Sequence, residues 1–335
     1  MRLRVLAAAV VPLVALLALA CNGGGADPSP TAPPTGEPTP AVGAAVFSFD
    51  CQAPAPATSP DAAAFPVEIT DSVGNTVILG APPQRIVSLS AGHTETLFAT
   101  GAGDQVIAVD STSDCPQATD DLPKVDAFTP SVEAIAGMEP DLVIIFFDPG
   151  DLQSSLQGLG IPVLNLAAPD SVQGVYDQTA LLGEATGHAG EAADIVAGMR
   201  EAVEDVQLRV EDAGEGPRVF HELDSNYFTV GSGTFIGDLY GILGAENIAD
   251  ATGEAYPQMS AEAIIEADPE VIILADEDAG ESPETVTARP GWGSVSAVQN
   301  ERIFIIDPDI VSRPGPRLVE ALVTLAGYLY PELFP

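Results

Sequence analysis

The sequence predicts an α/β protein with two doubly wound lobes, each built on a mostly parallel sheet, and one long helix between them. Segments 131–145 and 260–274 repeat one pattern, in which a serine precedes a short helical stretch with an early glutamate, a proline and an apolar β-branched run. Between the two copies, residues 171–213 place apolar side chains at helical spacing. Strands therefore alternate with helices in both halves of the chain.

The beginning of the chain predicts export. Arg2 and Arg4 precede an apolar run that contains Pro12, is too short and too kinked for a comfortable membrane span, and ends at Cys21. Residues 1–21 resemble a bacterial lipoprotein signal, in which the cysteine becomes the lipidated first residue, with ordinary signal cleavage as the alternative. We therefore expect an extracytoplasmic protein with a lipid anchor in the cell membrane, either in a periplasm or on the outer face.

Residues 22–64 are rich in Gly, Pro, Ala, Ser and Thr, a composition that predicts a disordered tether because it cannot bury enough apolar surface to fold. Cys51 lies in this tether and Cys115 in the first lobe, and with Cys21 they are the three cysteines of the chain. Two remaining cysteines in an exported protein predict one disulfide, with two free thiols as the alternative.

The repeat sets the remaining boundaries. We expect a first α/β lobe at residues 65–170, a helical linker at 171–213 and a second α/β lobe at 217–335. Glycines near residue 187 predict a break in the linker, followed by a helix of about 25 residues that spans roughly 35 to 40 Å. Because one helix joins the lobes without a flexible hinge, the gap between them is expected to keep a nearly fixed width.

Charge and composition exclude other classes of protein. The chain has 11 Lys plus Arg against 49 Asp plus Glu, a formal net charge of -38, so it lacks the clustered cations of a general nucleic-acid binder. With 46% hydrophobic residues it is not a wholly disordered acidic chain.

Ligands of open α/β sheets bind beyond the carboxyl ends of the strands, so two facing lobes predict a cleft. Loops after the predicted strands carry several aromatic residues, although only 6% of the chain is aromatic. Aromatic side chains with a cation suit a large planar or chelate-like ligand that bears an anionic group. Phe146 fits the core of its strand about equally well. The candidate ligand-binding residues are Cys115, Phe128, Phe146, Phe147, Tyr227, Phe228, Tyr256, Asp309 and Arg313.

Several longer motifs follow one another in order: PQRIVSL at 83–89, SDCP at 113–116, LPKV at 122–125, SVEAI at 131–135, RPGW at 289–292 and RPGPRLVEAL at 313–322. With these motifs, residues 65–335 resemble the cobalamin- and ferric-siderophore-binding substrate-binding proteins of ABC importers. The resemblance implies two Rossmann-like lobes with a helical backbone, a monomer, and delivery of the ligand to a two-fold symmetric permease with its ATPase subunits.

The resemblance also implies roles for single residues. In that family one glutamate on each lobe docks into an arginine pocket of the permease, and the matching positions are Glu133 and Glu262. Equivalent charges on two lobes can meet symmetry-related sites on a dimer, which supports this role. Each glutamate also complements the dipole of its own helix.

For the ligand, the resemblance implies a metal chelate that is carried rather than covalently held. The cobalamin-binding relatives have aromatic side chains where Cys115, Phe146 and Tyr256 stand, and an Asp and an Arg where Asp309 and Arg313 stand. A cobalamin-like corrinoid is therefore expected, and the cysteine at position 115 keeps a ferric siderophore or haem open as alternatives.

Three further classes receive less support: an importer component that binds a metal ion directly, an enzyme and an adhesive lipoprotein. His93, His188 and His221 lie apart without ligand spacing, so the sequence predicts no bound metal ion. An enzyme, for example a surface-anchored hydrolase, is not expected because the chain has no Gly-x-Ser-x-Gly elbow. An adhesive lipoprotein would leave the paired glutamates and the aromatic residues of the cleft without a purpose.

Overall fold

The computed structural model describes residues 47–53 and 56–335. The predicted signal peptide, Cys21 and the tether up to residue 46 lie outside these residues. Within the described ranges, no helix combines the length and apolar character that a membrane crossing requires.

The first lobe contains a five-stranded sheet in which all neighbouring strands are parallel. Its central strands are buried on both faces, as expected of apolar β-branched runs in a parallel sheet. The strands, in chain order, are β3 (Ile86–Leu89), β4 (Val106–Asp110), β5 (Lys124–Val125), β6 (Leu142–Ile145) and β7 (Val163–Asn165). The helices are α1 (Ala91–Ala99), α2 (Val132–Gly137) and α3 (Leu152–Gly158). Across the sheet the order is β5-β4-β3-β6-β7, so the direction of winding reverses between β3 and β6.

An antiparallel hairpin precedes this sheet and was missed in the sequence. It consists of β1 (Val67–Thr70) and β2 (Thr76–Leu79), in which buried and exposed residues alternate. Its four buried side chains join the core on one side of the first sheet. The period-two pattern was visible in the sequence, but each run is only four residues long.

The second lobe repeats the architecture with four parallel strands in the order β11-β10-β8-β9, reversing between β8 and β10. Its strands are β8 (Arg218–Glu222), β9 (Glu246–Asn247), β10 (Val271–Leu274) and β11 (Ile303–Ile305). Its helices are α6 (Phe235–Ile242), α7 (Ala261–Ala267), α8 (Pro283–Thr287), α9 (Ser296–Gln299), α10 (Pro308–Val311) and α11 (Leu318–Leu329). The predicted two-lobed α/β fold with parallel sheets is thus confirmed.

Between the lobes lie two helices that pack along each other, α4 (Val172–Thr186) and α5 (Ala189–Val210). Gly187 ends α4 in the left-handed conformation, with φ of 84°, which a side chain would disfavour. The 22 residues of α5 span about 33 Å. The start of α4 packs into the core of the second lobe and its end into that of the first. The helix pair therefore couples both cores.

Residues 47–53 and 56–64, which composition assigns to the tether, lie against the folded chain. Cys51 and Cys115 form a disulfide. The Thr58 hydroxyl and His188 Nδ1 are 2.9 Å apart, and the Asp61 amide donates to the Gly187 carbonyl at 2.8 Å. A cross-link over 64 residues stabilises the fold by about 4 kcal/mol through the entropy of the unfolded chain. The disulfide and the packing of Phe47 and Phe49 against the two cores together hold this segment.

A buried ion pair ties the lobes to each other. The carboxylate of Glu95, on α1 of the first lobe, accepts hydrogen bonds from Arg317 Nε at 2.9 Å and Nη2 at 2.6 Å, and its side chain is 0% exposed. Arg317 stands at the start of α11 in the second lobe. Gly92 permits the close approach, because a Cβ there would lie 3.0 Å from the Pro314 carbonyl oxygen. The two lobes therefore meet without an intervening side chain at this point.

We predict that Glu95→Gln lowers the free energy of unfolding by about 3 kcal/mol, because it leaves buried guanidinium charge without its counter-ion. Glu68→Gln on exposed β1 removes the same unit of charge and is expected to change stability by no more than about 0.5 kcal/mol. Urea unfolding of both variants measures the difference. Equal stability of the two variants would contradict the view that the Glu95–Arg317 ion pair holds the lobes together.

Candidate functional site

Ligands of such folds bind at the loops that follow the carboxyl ends of the strands, and the two sheets define which loops these are. In the first lobe these loops follow β3, β4, β5 and β6, and the winding reverses between β3 and β6. In the second lobe they follow β8, β10 and β11, and the reversal falls between β8 and β10. Binding crevices in open α/β sheets form at such reversals. The candidate site is therefore built from these loops.

Two phenylalanines present an aromatic surface on the first lobe. Phe128 follows β5 and Phe147 follows β6, both are exposed, and their ring centres are 5.4 Å apart. The Asp126 carboxylate accepts the Phe128 amide at 2.8 Å and so orders the turn that carries this ring. Phe146 is half-buried, with its ring 6.0 Å from that of His93. The structure thus brings Phe128 and Phe147 together and leaves Phe146 partly in the core.

Cys115 contributes a scaffold rather than an exposed thiol. It is 3% exposed and its sulfur is bonded to Cys51. The loop that carries it is further ordered by the Asp110 carboxylate, which accepts from the hydroxyls of Thr112 and Ser113. The sequence proposed Cys115 both as a ligand residue and as a disulfide partner, and its burial leaves little of the side chain for a ligand.

The second lobe offers a matching aromatic surface. Phe228 and Tyr256 are both exposed. They lie on neighbouring segments, because Phe228 forms an antiparallel bridge with Gln258, two residues after Tyr256. Tyr227 turns the other way, and its ring centre lies 5.7 Å from that of Trp292. Trp292 is fully buried, so Tyr227 belongs to the support beneath the surface rather than to the surface itself.

Arg313 was predicted to meet an anionic group of the ligand, but the structure occupies it with protein carboxylates. Its Nη1 lies 3.0 Å from Glu95 and 2.7 Å from Asp114, and its Nη2 lies 2.5 Å from Asp309. Although burial opposes the charged form, the hydrogen bonds to Asp114 and Glu95 raise the pKa of Arg313 above its ordinary value. Arg313 therefore joins the lobes, and the sequence could not reveal this because the partners lie about two hundred residues away.

Asp309 occupies the same cluster as Arg313. Burial raises the pKa of Asp309 to about 6, and the neighbouring Asp114 adds to the shift while the charge of Arg313 opposes it. Asp309 and Arg313, which the sequence predicts as ligand-binding residues, contact each other within the protein.

A second ionic cluster, at the carboxyl edge of the second sheet, was missed in the sequence. Arg289 binds Glu222, the last residue of β8, through both terminal nitrogens, and it binds Glu281 at 2.7 Å. The guanidinium also lies over the rings of Tyr227 and Trp292. The RPGW motif was the available signal, since it contains both Arg289 and Trp292.

Asp276, two residues after β10, belongs to this second cluster. It is 5% exposed, and neither carboxylate oxygen has a hydrogen-bond partner among the described residues. Burial, together with the charges of Glu222 and Glu281, raises the pKa of Asp276 to about 7. A carboxyl group in this state has free hydrogen-bonding capacity beside the reversal of the second sheet.

The two glutamates of the repeat stand in equivalent places on the two lobes. Ser131 caps α2 and Ser260 caps α7, each accepting a backbone amide with its hydroxyl. Glu133 and Glu262 lie in the first turn of these helices, and both are exposed. Both side chains are accessible from solvent, and the Glu133 carboxylate also accepts a hydrogen bond from the Ser131 hydroxyl at 3.3 Å.

The histidines do not form a metal centre. His93, His188 and His221 are all buried, and burial lowers the pKa of His93 to about 4 and that of His221 to about 3. Within residues 47–53 and 56–335, no group of three or more His, Cys, Asp or Glu side chains is arranged to hold a metal ion.

Comparison with known proteins agrees with this geometry. The periplasmic binding protein family matches residues 86–310. An uncharacterized ABC transporter substrate-binding lipoprotein of Bacillus subtilis, YvrC, is 33% identical over 279 residues, covering 81% of this chain and 87% of that protein. A cobalamin-binding protein of Halobacterium salinarum is 30% identical over 279 residues, covering 79% of this chain and 74% of that protein.

A solved structure shows the same likeness. The periplasmic vitamin B12-binding protein of Vibrio cholerae aligns with 74% of this chain and 97% of its own, with a TM-score of 0.65 and 25% identity. The family and these relatives are binding proteins that serve transport rather than enzymes. From the family match and the identity to these relatives, the chain belongs to the periplasmic binding protein family and is the extracytoplasmic substrate-binding protein of an ABC importer.

Proposed function

We propose that this substrate-binding protein captures a cobalamin-like corrinoid and delivers it to its permease, with a ferric siderophore or haem as the alternative ligand. The observation that carries the proposal is the pair of exposed aromatic surfaces, Phe128 with Phe147 on one lobe and Phe228 with Tyr256 on the other. Large aromatic side chains that stay exposed at the carboxyl ends of strands mark a ligand surface. The relatives named for cobalamin and vitamin B12 support a corrinoid.

The chemistry of these surfaces suits a flat, bulky ligand. Exposed aromatic rings on the two lobes can hold a large ring system by stacking and apolar contact, at little cost in side-chain entropy. Of the other aromatic candidates, Phe146 packs near His93 and Tyr227 near Trp292. The cluster around Arg313 holds the lobes together, so we expect binding with little change in the distance between them.

We predict that the purified protein binds cyanocobalamin at one ligand per monomeric chain, measured by equilibrium dialysis and the absorption of the corrin. Replacing both Phe128 and Tyr256 by alanine is expected to weaken binding by roughly 100-fold, since each ring contributes on the order of 1 to 2 kcal/mol. Phe304→Ala serves as the control, because it removes a ring that stacks on Tyr328 and stands in the middle of β11, the edge strand of the second sheet. Binding of haemin or a ferric siderophore, but not of the corrin, would redirect the proposal to that chelate.

We further propose that Glu133 and Glu262 dock the loaded protein onto the permease dimer. Their exposure and their equivalent places on α2 and α7 support this role. A pair of carboxylates on two similar lobes can meet two symmetry-related basic sites at once, which gives both orientation and a faster encounter.

Reversal of both charges, Glu133→Arg with Glu262→Arg, is expected to abolish uptake while ligand binding by the purified protein stays unchanged. The matched control, Glu68→Arg with Glu204→Arg, alters the net charge equally at exposed positions on β1 and α5 and should transport normally. Uptake of radiolabelled ligand by cells that carry each variant makes the comparison. Normal uptake with both docking residues reversed contradicts the assignment.

The lipid anchor on Cys21 is also a proposal, supported by the lipoprotein name of the Bacillus relative. We predict that the wild-type protein fractionates with membranes, whereas Cys21→Ala with an otherwise intact signal is released or retained as an uncleaved precursor. Mass spectrometry of the mature amino terminus identifies the acyl groups. An unmodified terminus on the membrane-associated protein counts against lipidation.

A further inference from the structure

The few cations of the described chain are distributed unevenly with respect to the ligand site. Arg85, Arg218 and Arg302 stand at the amino ends of β3, β8 and β11. Arg200 and Arg209 lie on α5. Amino ends and carboxyl ends are opposite edges of a parallel sheet, so Arg85, Arg218 and Arg302 lie away from the loops that form the site. Arg200 donates to Gln173 on α4, and Arg209 donates to the carbonyl oxygen of Leu333.

The cations that do stand near the carboxyl ends are already bound by protein carboxylates. In the cluster between the lobes, the guanidinium groups of Arg313 and Arg317 meet three carboxylates, which are those of Glu95, Asp114 and Asp309. Asp114 and Asp309 are the outer members, with 61% and 38% of their side chains exposed. This cluster therefore presents negative charge toward solvent and to any ligand between the lobes.

The second cluster has the same imbalance. The single guanidinium of Arg289 binds both Glu222 and Glu281. Asp276 adds a third carboxyl group, with both oxygens lacking a partner in the described chain although the residue is nine-tenths buried. An unpartnered buried carboxyl group at the reversal of the sheet indicates a place where a hydrogen-bond donor is expected.

Lys124 is the remaining cation near this edge. Its ammonium group donates to the carbonyl oxygen of Ser113, whose own hydroxyl donates to the carboxylate of Asp110. Lys124 thus stands close to a further acidic side chain, Asp110, and does not reverse the excess of negative charge on this edge of the first lobe.

From this arrangement we infer, on the basis of the proposed function, that the site selects metal chelates whose periphery is neutral or cationic and rich in hydrogen-bond donors, and discriminates against chelates with peripheral carboxylates. Asp114, Asp309, Asp276 and Glu281 are the residues that determine this specificity. A ligand carboxylate would have to displace a protein carboxylate from an arginine or approach excess negative charge. Amide N–H groups, in contrast, can donate to these carboxylates.

The sharpest test compares ligands of one shape and different charge. Cyanocobalamin is neutral overall, and its monocarboxylic acid derivatives replace one peripheral amide by a carboxylate with almost no change in size. At pH 7.5 and low salt we expect at least one monoacid to bind about 5- to 10-fold more weakly than the parent, with the difference shrinking as salt is added. Equal or tighter binding of all the monoacids overturns the inference.

Variants locate the effect in the protein. Asp114→Asn and Glu281→Gln each remove one negative charge without changing side-chain size, and each is expected to reduce the discrimination between parent and monoacid by about 2- to 3-fold. Asp194→Asn, on the exposed face of α5, removes the same charge away from the site and should leave the ratio unchanged. A ratio that is unaffected in both site variants, with wild-type stability, also overturns the assignment.

Failure of the proposed function gives a different result. If the protein binds haemin, the same comparison is made with haemin and its dimethyl ester, which differ only in the charge of the propionates. Preference for the charged form overturns the inference but leaves chelate capture intact. Absence of binding by every corrin, haem and siderophore probe overturns both.

Discussion

The buried carboxylate of Glu95 is the contact on which the rest of the molecule depends. It carries a full charge at a position without solvent access, and two guanidinium groups from the other lobe compensate it. Removing a charge of this kind from water costs several kcal/mol, so the cluster persists only while the lobes keep the arrangement that brings its members together. The ion pair thus contributes less to net stability than to fixing the position of one sheet relative to the other. The helix pair α4 and α5, which shares both cores, imposes the same condition from the other side.

This constraint changes how the site can recognise its ligand. An arginine in a cleft is usually available to an anionic group, but Arg313 satisfies Glu95, Asp114 and Asp309 instead. An anionic ligand that displaced those carboxylates from Arg313 would weaken the contact between the lobes. Binding of an anion would therefore destabilise the folded arrangement. In the proposed site, recognition then falls to the exposed rings of Phe128 and Tyr256 and their neighbours, and to carboxyl oxygens that accept hydrogen bonds. Arg313 and its carboxylate partners therefore both hold the lobes together and limit which ligands can bind.

Much of the fold could be predicted from the sequence because its signals are local. The repeat, the serine caps and the apolar runs each occupy at most about fifteen consecutive residues, and they determine the strands and helices directly. The exposed aromatics could be placed for the same reason, as residues that follow strands. What could not be predicted is the pairing of distant charges: Arg313 with Glu95, or Arg289 with Glu222. Sequence pattern gives the edge of the sheet on which a charge lies but not which partner it meets across the lobe boundary.

The acidic composition explains why these pairings are so specific. With 11 cationic residues against 49 acidic ones, most carboxylates must remain solvated on the surface, whereas the buried carboxylates of Glu95 and Glu222 are matched to arginines. Surface charge is screened strongly by salt, whereas a pair such as Arg317 with Glu95 is screened little because it lies out of the solvent. Rising salt therefore weakens the mutual repulsion of the surface while leaving the joint between the lobes intact. A highly acidic shell and a rigid two-lobed site are compatible in one chain because the two sets of charges experience different screening.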